Sequence, residues 1–173
     1  MSFQSSEAID PWKDPWKEVK INSDGAVSKQ GTNGGGVAVF RDHNAAFLAG
    51  VSHFFPGIAD LESVEVLACR RALQVAVDVH IQRAHVELDN KALVAKINEP
   101  GRNLSAVGPW VQDIKEMLNH FEEFKVTWIR RTGNMVAHNL ARVGVGEFRS
   151  EIWVDSPPDF ILHVISHEIP SYG

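Results

Sequence analysis

The sequence has little of what secreted and membrane-spanning proteins need. Its single cysteine, Cys69, cannot form an internal disulfide, so a reducing compartment is expected. No apolar run approaches the roughly 20 residues of a spanning helix. Residues 1–6 have neither the basic nor the apolar region of a secretory signal. We therefore expect an intracellular protein, in the nucleus or the cytoplasm, with no membrane partner.

The chain also lacks the positive charge that is typical of strong nucleic-acid binders. Its formal net charge is −5. Basic and acidic residues balance across residues 18–144, so the acidic surplus lies toward the two ends of the chain. This balance permits modest phosphate binding and excludes the strong, salt-steered association of a basic protein.

Alternating strand and helix patterns predict one α/β domain. We expect an N-terminal arm over residues 1–17, the domain over 18–146, and an appendage over 147–173 that packs on or trails from the domain. Residues 29–36, with glycines at 34–36, predict a hairpin loop. Hydrophobic periodicity predicts five strands, over 19–24, 37–40, 46–51, 84–89 and 124–129, and four helices, over 59–80, 90–97, 107–121 and 134–143, the last closed by Gly144.

Three acidic residues fall where secondary structure places a carboxylate beside its neighbours. Asp24 ends the first strand, Glu65 lies on the apolar strip of the first long helix, and Asp89 ends the fourth strand. Taken singly they have simpler interpretations: an Asp-Gly turn, a glutamate that reaches solvent, and a helix N-cap. Carboxylates brought together from separate elements repel one another unless a cation lies between them, and Mg²⁺ accepts such oxygen ligands. Their order therefore predicts a divalent-metal site.

The order of elements and four local strings resemble those of the ribonuclease H family. The strings are KINSDGAV, VEVLACRRALQVA, VELDNKALV and VTWIRRTGNMVAHNLAR. The Trp/Pro-rich start and the end of the chain resemble plant ribonuclease H-like domains related to the ribonuclease H segment of non-LTR retroelements. The resemblance covers nearly the whole chain. It implies a ribonuclease H-like fold with a five-stranded mixed sheet, three antiparallel hairpin strands plus two parallel strands, flanked by helices.

The resemblance also implies an activity and a set of site residues. The activity is hydrolysis of the RNA strand of an RNA–DNA hybrid with two divalent cations, Mg²⁺ or Mn²⁺. Asp24 would bridge both cations, and Glu65 and Asp89 would hold the one at the leaving group. His138 stands where the family has a fourth carboxylate, and it is assigned as a ligand of the other cation. The implied substrate contacts are backbone amides and polar or basic side chains: Gly25, Ala26, Asn90, Arg130, Arg131 and Asn134.

Three departures from the family pattern leave alternatives open. His138 favours Mn²⁺, because imidazole is a poor ligand for Mg²⁺, and its simpler interpretation is a surface histidine that contacts nothing. Residues 129–133 lack the mobile histidine of active relatives. Leu61 and Glu62 replace amides that contact the RNA minor groove. One alternative is a catalytically impaired module that binds nucleic acid or a protein partner; another is a related metal nuclease that acts on structured DNA or single strands.

The remaining conspicuous side chains are predicted to belong to the core. Trp110 and Trp128 have apolar neighbours in the sequence. Cys69 lacks the basic surroundings of a reactive thiol and is predicted to be buried.

Overall fold

The computed structural model describes residues 17–147 and 150–154. The strands are β1 (Val19–Val27), β2 (Asn33–Arg41), β3 (Phe47–Pro56), β4 (Arg83–Leu88), β5 (Glu123–Trp128) and β6 (Glu151–Val154). The helices are α1 (Leu61–Asp78), α2 (Lys91–Asn98), α3 (Gly108–Leu118) and α4 (Met135–Glu147), and a single 3-10 turn (Arg131–Asn134) precedes α4. Within the described ranges, no helix combines the length and the apolar character that crossing a membrane requires.

The strands form one mixed sheet in the order β5-β4-β1-β2-β3-β6. β1, β2 and β3 pair antiparallel, whereas β4 is parallel to both β1 and β5. The predicted arrangement of three hairpin strands and two parallel strands is thus confirmed. The predicted count of five is wrong, because β6 pairs antiparallel with β3. An edge strand offers unpaired backbone groups, and these four residues of the predicted appendage satisfy those of β3. Residues 148–149 and 155–173 of the predicted appendage and residues 1–16 lie outside the described residues.

The three glycines that were predicted to form a hairpin loop lie in β2 instead. Gly36 pairs with Gly25 of β1, and a Cβ atom at Gly36 would lie only 2.6 Å from the Cβ of Ala68 in α1. The glycines therefore let α1 pack directly on the sheet. The chain reverses earlier, where the Ser28 hydroxyl accepts the backbone N–H groups of Thr32 and Asn33, each at 3.2 Å.

The ends of the helices also correct the predictions. The Asp60 carboxylate caps α1 by accepting the N–H of Ser63 at 2.9 Å. Asn90, rather than Asp89, caps α2, so the simpler interpretation of Asp89 as an N-cap is wrong. α4 continues beyond Gly144 to Glu147. This helix contains two glycines, Gly144 and Gly146, each of which costs about 1 kcal/mol, and the packing of α4 on the sheet can outweigh this cost.

Two apolar clusters hold the helices against the two faces of the sheet. The larger cluster joins the sheet to α1, α2 and α3, and includes Phe40, Leu73 and Ile114. The smaller cluster lies beneath α4 and includes Val39 and Leu140. β1 is the central strand between these layers. The polar side chains in its middle, Asn22, Ser23 and Asp24, are consequently buried with it.

Two of the three side chains predicted for the core lie there. Cys69 is buried, and burial raises the pKa of its thiol to about 12. Trp110 is partly buried against the larger cluster. The prediction for Trp128 is wrong, since this residue is 39% exposed. It is the last residue of β5, an edge strand, and so has neighbours on only one side.

Candidate metal centre

Strand register brings Asp24 and Asp89 to the same edge of the sheet. β1 and β4 are parallel neighbours in which Ile21 lies opposite Val86 and Asn22 lies opposite Glu87. Asp24 lies two residues after Asn22, and Asp89 lies two residues after Glu87, in the same direction. Parallel strands present their carboxyl ends at one edge, so the two carboxylates meet there.

A close helix–strand contact at Gly25 brings the third carboxylate. A Cβ atom at this position would lie 2.7 Å from Val64 Cγ1 and 3.0 Å from the Glu65 backbone nitrogen. Only glycine therefore lets α1 lie this near β1. One carboxylate oxygen from each of Asp24, Glu65 and Asp89 lies within 4.8 Å of the others. The simpler interpretation of an Asp-Gly turn is wrong, because Gly25 is an inner residue of β1.

The cluster concentrates negative charge in a poorly solvated place. Asp24 is 4% exposed, and burial, followed by the charge of Asp89, raises its pKa despite hydrogen bonds from His138 and Gly25. Burial likewise raises the pKa of Glu65; the hydrogen bond from Asn90 opposes this rise, and the charges of Asp24 and Asp89 add to it. Three ionised carboxylates are thus unfavourable here unless a cation joins them.

Asp89 offers a direct test of whether the site fits a metal ion. Its side chain is 8% exposed, and its buried Oδ2 atom accepts no hydrogen bond from any residue that the structure describes. Arg131 Nε lies 3.6 Å from this oxygen, at ion-pair rather than hydrogen-bond distance. A buried carboxylate oxygen without a donor is costly. A hard divalent cation would satisfy it, and the all-oxygen donor set suits such an ion.

His138 contacts the cluster through Asp24. Its Nδ1 atom lies 2.9 Å from Asp24 Oδ2, where it can donate a hydrogen bond, while Asp24 Oδ1 accepts the N–H of Gly25 at 2.9 Å. The imidazole from α4 therefore contacts Asp24 Oδ2, the carboxylate oxygen that does not bond to Gly25. The simpler interpretation of His138 as a surface side chain without contacts is wrong.

Asn134 lies inside the protein rather than at a surface that a substrate could reach. It is 1% exposed; its amide nitrogen donates to the carbonyl of Ser23 at 3.2 Å, and its amide oxygen accepts from Asn22 at 3.2 Å. These bonds fix the start of α4 on β1. His138 lies one helical turn further along α4, so the same bonds set its position relative to Asp24.

The other predicted substrate contacts are spread around the cluster. The Asn90 side chain donates to Glu65 and accepts the N–H of Leu93 at 3.0 Å, so it positions a carboxylate and caps α2. Arg130 and Arg131 are exposed at the turn before α4. The Gly25 N–H is used by Asp24, and the last of the set, Ala26, is half-buried.

A comparison with known protein families shows which family this chain belongs to. A profile described as reverse transcriptase-like matches residues 22–144. The chain belongs to this reverse transcriptase-like family. The matched range contains all three carboxylates of the cluster together with His138. No curated protein matches the sequence.

Solved ribonuclease H structures share the fold of this reverse transcriptase-like domain. The N-terminal RNase H domain of a Mycobacterium tuberculosis protein, solved as a fusion with maltose binding protein, has 20% identity and a TM-score of 0.69, over 76% of this chain and 96% of that one. RNase H1 from Halobacterium salinarum has 17% identity and a TM-score of 0.69, over 75% and 98%. LC11-RNase H1, solved in complex with an RNA/DNA hybrid, has 15% identity and a TM-score of 0.65, over 75% and 97%. The predicted ribonuclease H-like fold is confirmed.

Sequence reasoning missed three side chains that shape this reverse transcriptase-like site. Asn22 bonds to Asn134, and Lys91 lies over the ring of Trp128, which in turn bonds to the backbone of Asp89. The available signal for Asn22 was its position next to Ser23 and Asp24 in a strand that begins with apolar residues. The Lys91–Trp128 contact joins residues from α2 and β5 and leaves no local pattern.

Proposed function

We propose that this domain hydrolyses the RNA strand of RNA–DNA hybrids with divalent cations bound at Asp24, Glu65 and Asp89. The observation that carries the proposal is the cluster of one buried and two partly buried carboxylates, in which Asp89 Oδ2 lacks a donor among the described residues. Structural neighbours of the same fold are RNase H proteins, and one of them was solved with an RNA/DNA hybrid. These neighbours support the choice of substrate.

The cluster offers ligands for two cations, Mg²⁺ or Mn²⁺, on either side of Asp24. Bound divalent cations would activate the attacking water and neutralise charge on the leaving oxygen. Asp24 would be shared by the two positions, because it contacts His138 and has one oxygen within 4.8 Å of those of Glu65 and Asp89. Glu65 and Asp89 hold the leaving-group side. Asn90 keeps Glu65 in place by hydrogen bonding to it.

His138 gives the second position a different character from that of a carboxylate. A nitrogen ligand favours Mn²⁺ over Mg²⁺. Its contact with Asp24 also places the imidazole where it can orient a water molecule or accept its proton. We therefore propose that the enzyme prefers Mn²⁺ and is weaker in Mg²⁺.

Cleavage of an end-labelled RNA–DNA hybrid in Mg²⁺ and in Mn²⁺ tests the proposal. The wild-type protein should cleave the RNA strand, faster in Mn²⁺, and Asp24→Asn should abolish turnover. His138→Asp should restore activity in Mg²⁺, because it supplies the fourth carboxylate. Absence of cleavage by the wild type and by His138→Asp in both metals, from folded protein, would contradict the assignment.

A second candidate is a module that binds nucleic acid or a protein partner without cleaving. It is favoured by the surface beside the cluster, where Glu62 is paired with Lys96 and Leu61 is exposed, so neither offers an amide to an RNA groove. This module would bind a hybrid with similar affinity before and after Asp24→Asn and would cleave in neither form. The same assay therefore separates the two candidates.

A further inference from the structure

An exposed tryptophan and a lysine lie beside the metal-binding cluster. Trp128 ends β5, and its indole nitrogen donates to the carbonyl oxygen of Asp89 at 3.2 Å. The ammonium group of Lys91, the first residue of α2, lies 4.2 Å from the centroid of the Trp128 ring. Both side chains are exposed. They form a rim on the Asp89 side of the cluster.

Lys91 differs from other lysines of the domain in its partner. Three of the others pair with carboxylates: Lys20 with Glu87, Lys96 with Glu62, and Lys125 with Glu18. Over residues 17–147 and 150–154, no carboxylate pairs with Lys91. The face of an aromatic ring holds an ammonium group in place without cancelling its charge. The charge of Lys91 is thus positioned but not neutralised.

Two arginines extend this rim. Arg131 is 63% exposed at its side chain and lies 3.6 Å from Asp89 Oδ2, and Arg130 precedes it. A divalent cation on the carboxylates would neutralise most of the negative charge within reach of these groups. Lys91, Arg130 and Arg131 would then present a cationic surface on one side of the metal centre. Such a surface matches the phosphates of a polynucleotide backbone.

We propose that Lys91, positioned by Trp128, binds a backbone phosphate of the nucleic acid next to the phosphate that lies on the metal centre. Lys91 is the phosphate ligand. Trp128 is a positioning residue that orients the ammonium group and ties it to the strand end that carries Asp89. The inference rests on the proposed function in taking a nucleic acid as ligand, but it does not require that the ligand be cleaved.

The test is the affinity of the full chain for a fluorescein-labelled RNA–DNA hybrid, measured in Ca²⁺ at several salt concentrations, with the strand checked for integrity. Lys91→Gln should weaken binding about fivefold and lower the slope of log Kd against log salt by about one, as expected for one lost phosphate contact. Lys125→Gln is the matched control. It removes the same charge from β5, where Glu18 already pairs with it, and should leave affinity and slope unchanged.

The role of Trp128 is tested by a double-mutant cycle. Trp128→Leu should weaken binding by a similar factor, and the double variant Lys91→Gln/Trp128→Leu should bind no more weakly than Lys91→Gln alone. A merely structural effect of Trp128 would add to the effect of Lys91→Gln. Should Trp128→Leu fail to fold, the comparison of Lys91→Gln with Lys125→Gln still decides the phosphate assignment.

The outcomes separate this inference from the proposed catalysis. A selective loss in Lys91→Gln supports the phosphate site even if the wild type cleaves nothing. Equal affinities and salt slopes for Lys91→Gln and Lys125→Gln would overturn it, even if the wild type cleaves hybrids well. Failure of the wild type to bind any hybrid would also overturn it.

Discussion

The two sides of Asp24 are built differently. On the acidic side, Glu65 and Asp89 bring two more carboxylates, and within residues 17–147 and 150–154 no group donates a hydrogen bond to Asp89 Oδ2. On the histidine side, His138 donates to Asp24, and Asn134 fixes the same helix on β1. The acidic side gathers three carboxylates, to which the described residues offer an ion pair from Arg131 and a hydrogen bond from Asn90, whereas on the histidine side Asp24 Oδ2 already has a partner in His138. This difference indicates that the acidic side depends more strongly on a bound cation than the histidine side does.

The largest expected effect is on the rate of cleavage. The loss of rate should be greater for a substitution on the acidic side than for one on the histidine side. Asp89→Asn removes a carboxylate from the acidic side and should lower the rate of hybrid cleavage about a thousandfold, since metal-ion stabilisation is worth several kcal/mol. His138→Ala should cost less, about a hundredfold, which is typical of a lost acid–base or positioning group. Single-turnover cleavage rates in Mn²⁺ measure both.

Asp113→Asn is the control for this comparison, because Asp113 pairs with Arg70 on the surface and lies outside the cluster. It should cleave like the wild type. A larger loss of cleavage rate in His138→Ala than in Asp89→Asn would contradict this order and show that the histidine side contributes more to catalysis.

A substitution at the helix–strand contact should disturb the acidic side alone. Gly25→Ala would place a methyl group 2.7 Å from Val64 Cγ1, so α1 and Glu65 must shift away from Asp24. We expect a loss of about 1–3 kcal/mol in the free energy of unfolding and weaker Mn²⁺ binding. Chemical denaturation and calorimetry report the two effects. Gly133→Ala is the control, since its Cβ would be 3.6 Å from Ile129, an ordinary contact. Unchanged stability in Gly25→Ala would contradict the close packing.

The converse substitution should disturb the histidine side alone. Asn134→Ala removes the bonds to Ser23 and Asn22 and leaves buried polar groups unpaired, at a cost of about 1–2 kcal/mol in stability. The Asn22→Ala/Asn134→Ala double variant should lose less than the sum of the single variants, because the two amides share a bond. Mn²⁺ affinity should fall less than in Gly25→Ala, because His138 loses its support while the three carboxylates keep their positions. A loss of Mn²⁺ affinity as large as that in Gly25→Ala would show that the two sides are not independent.

The smallest effect is the pH dependence of stability. Burial raises the pKa of Asp24 and of Glu65, so the folded protein without divalent cations holds protons that the unfolded chain releases. The stabilising contribution of these groups to the free energy of unfolding is fully present below the pKa of the unfolded chain. It is lost as the pH rises through the pKa of the folded protein. A bound cation favours the ionised forms, so Mn²⁺ should raise Tm by a few degrees more at about pH 8 than at about pH 5. Equal shifts at the two pH values would contradict the raised pKa values of the cluster.

The sequence was sufficient for features that depend on local pattern. The strand and helix order, and the three carboxylates at element ends or on a helix strip, follow from periodicity and position. The glycines of β2 were wrongly assigned to a loop. They are required by the close approach of α1, which follows about 30 residues later in the chain. β6 was missed because a four-residue strand has no pattern of its own and is stabilised by the distant β3.

The metal ligands of the site could be predicted from the sequence, but the side chains that surround and position these ligands could not. The positions of Asp24, Glu65 and Asp89 relative to strands and helices already indicate a cluster. Asn134 was predicted as a substrate contact, yet its amide is used inside the protein. Trp128 was predicted as core, yet it ends an edge strand. In both cases the side-chain environment is set by residues that are far away in sequence.

The most direct test of the central claim is a calorimetric titration of Mn²⁺ and of Mg²⁺ into the metal-free wild-type protein and into Asp89→Asn. We expect saturable binding to the wild type, tighter for Mn²⁺, and a loss of at least the leaving-group cation in Asp89→Asn. Absence of saturable binding to the wild type, or identical binding by Asp89→Asn, would contradict the assignment of the three carboxylates as a metal centre.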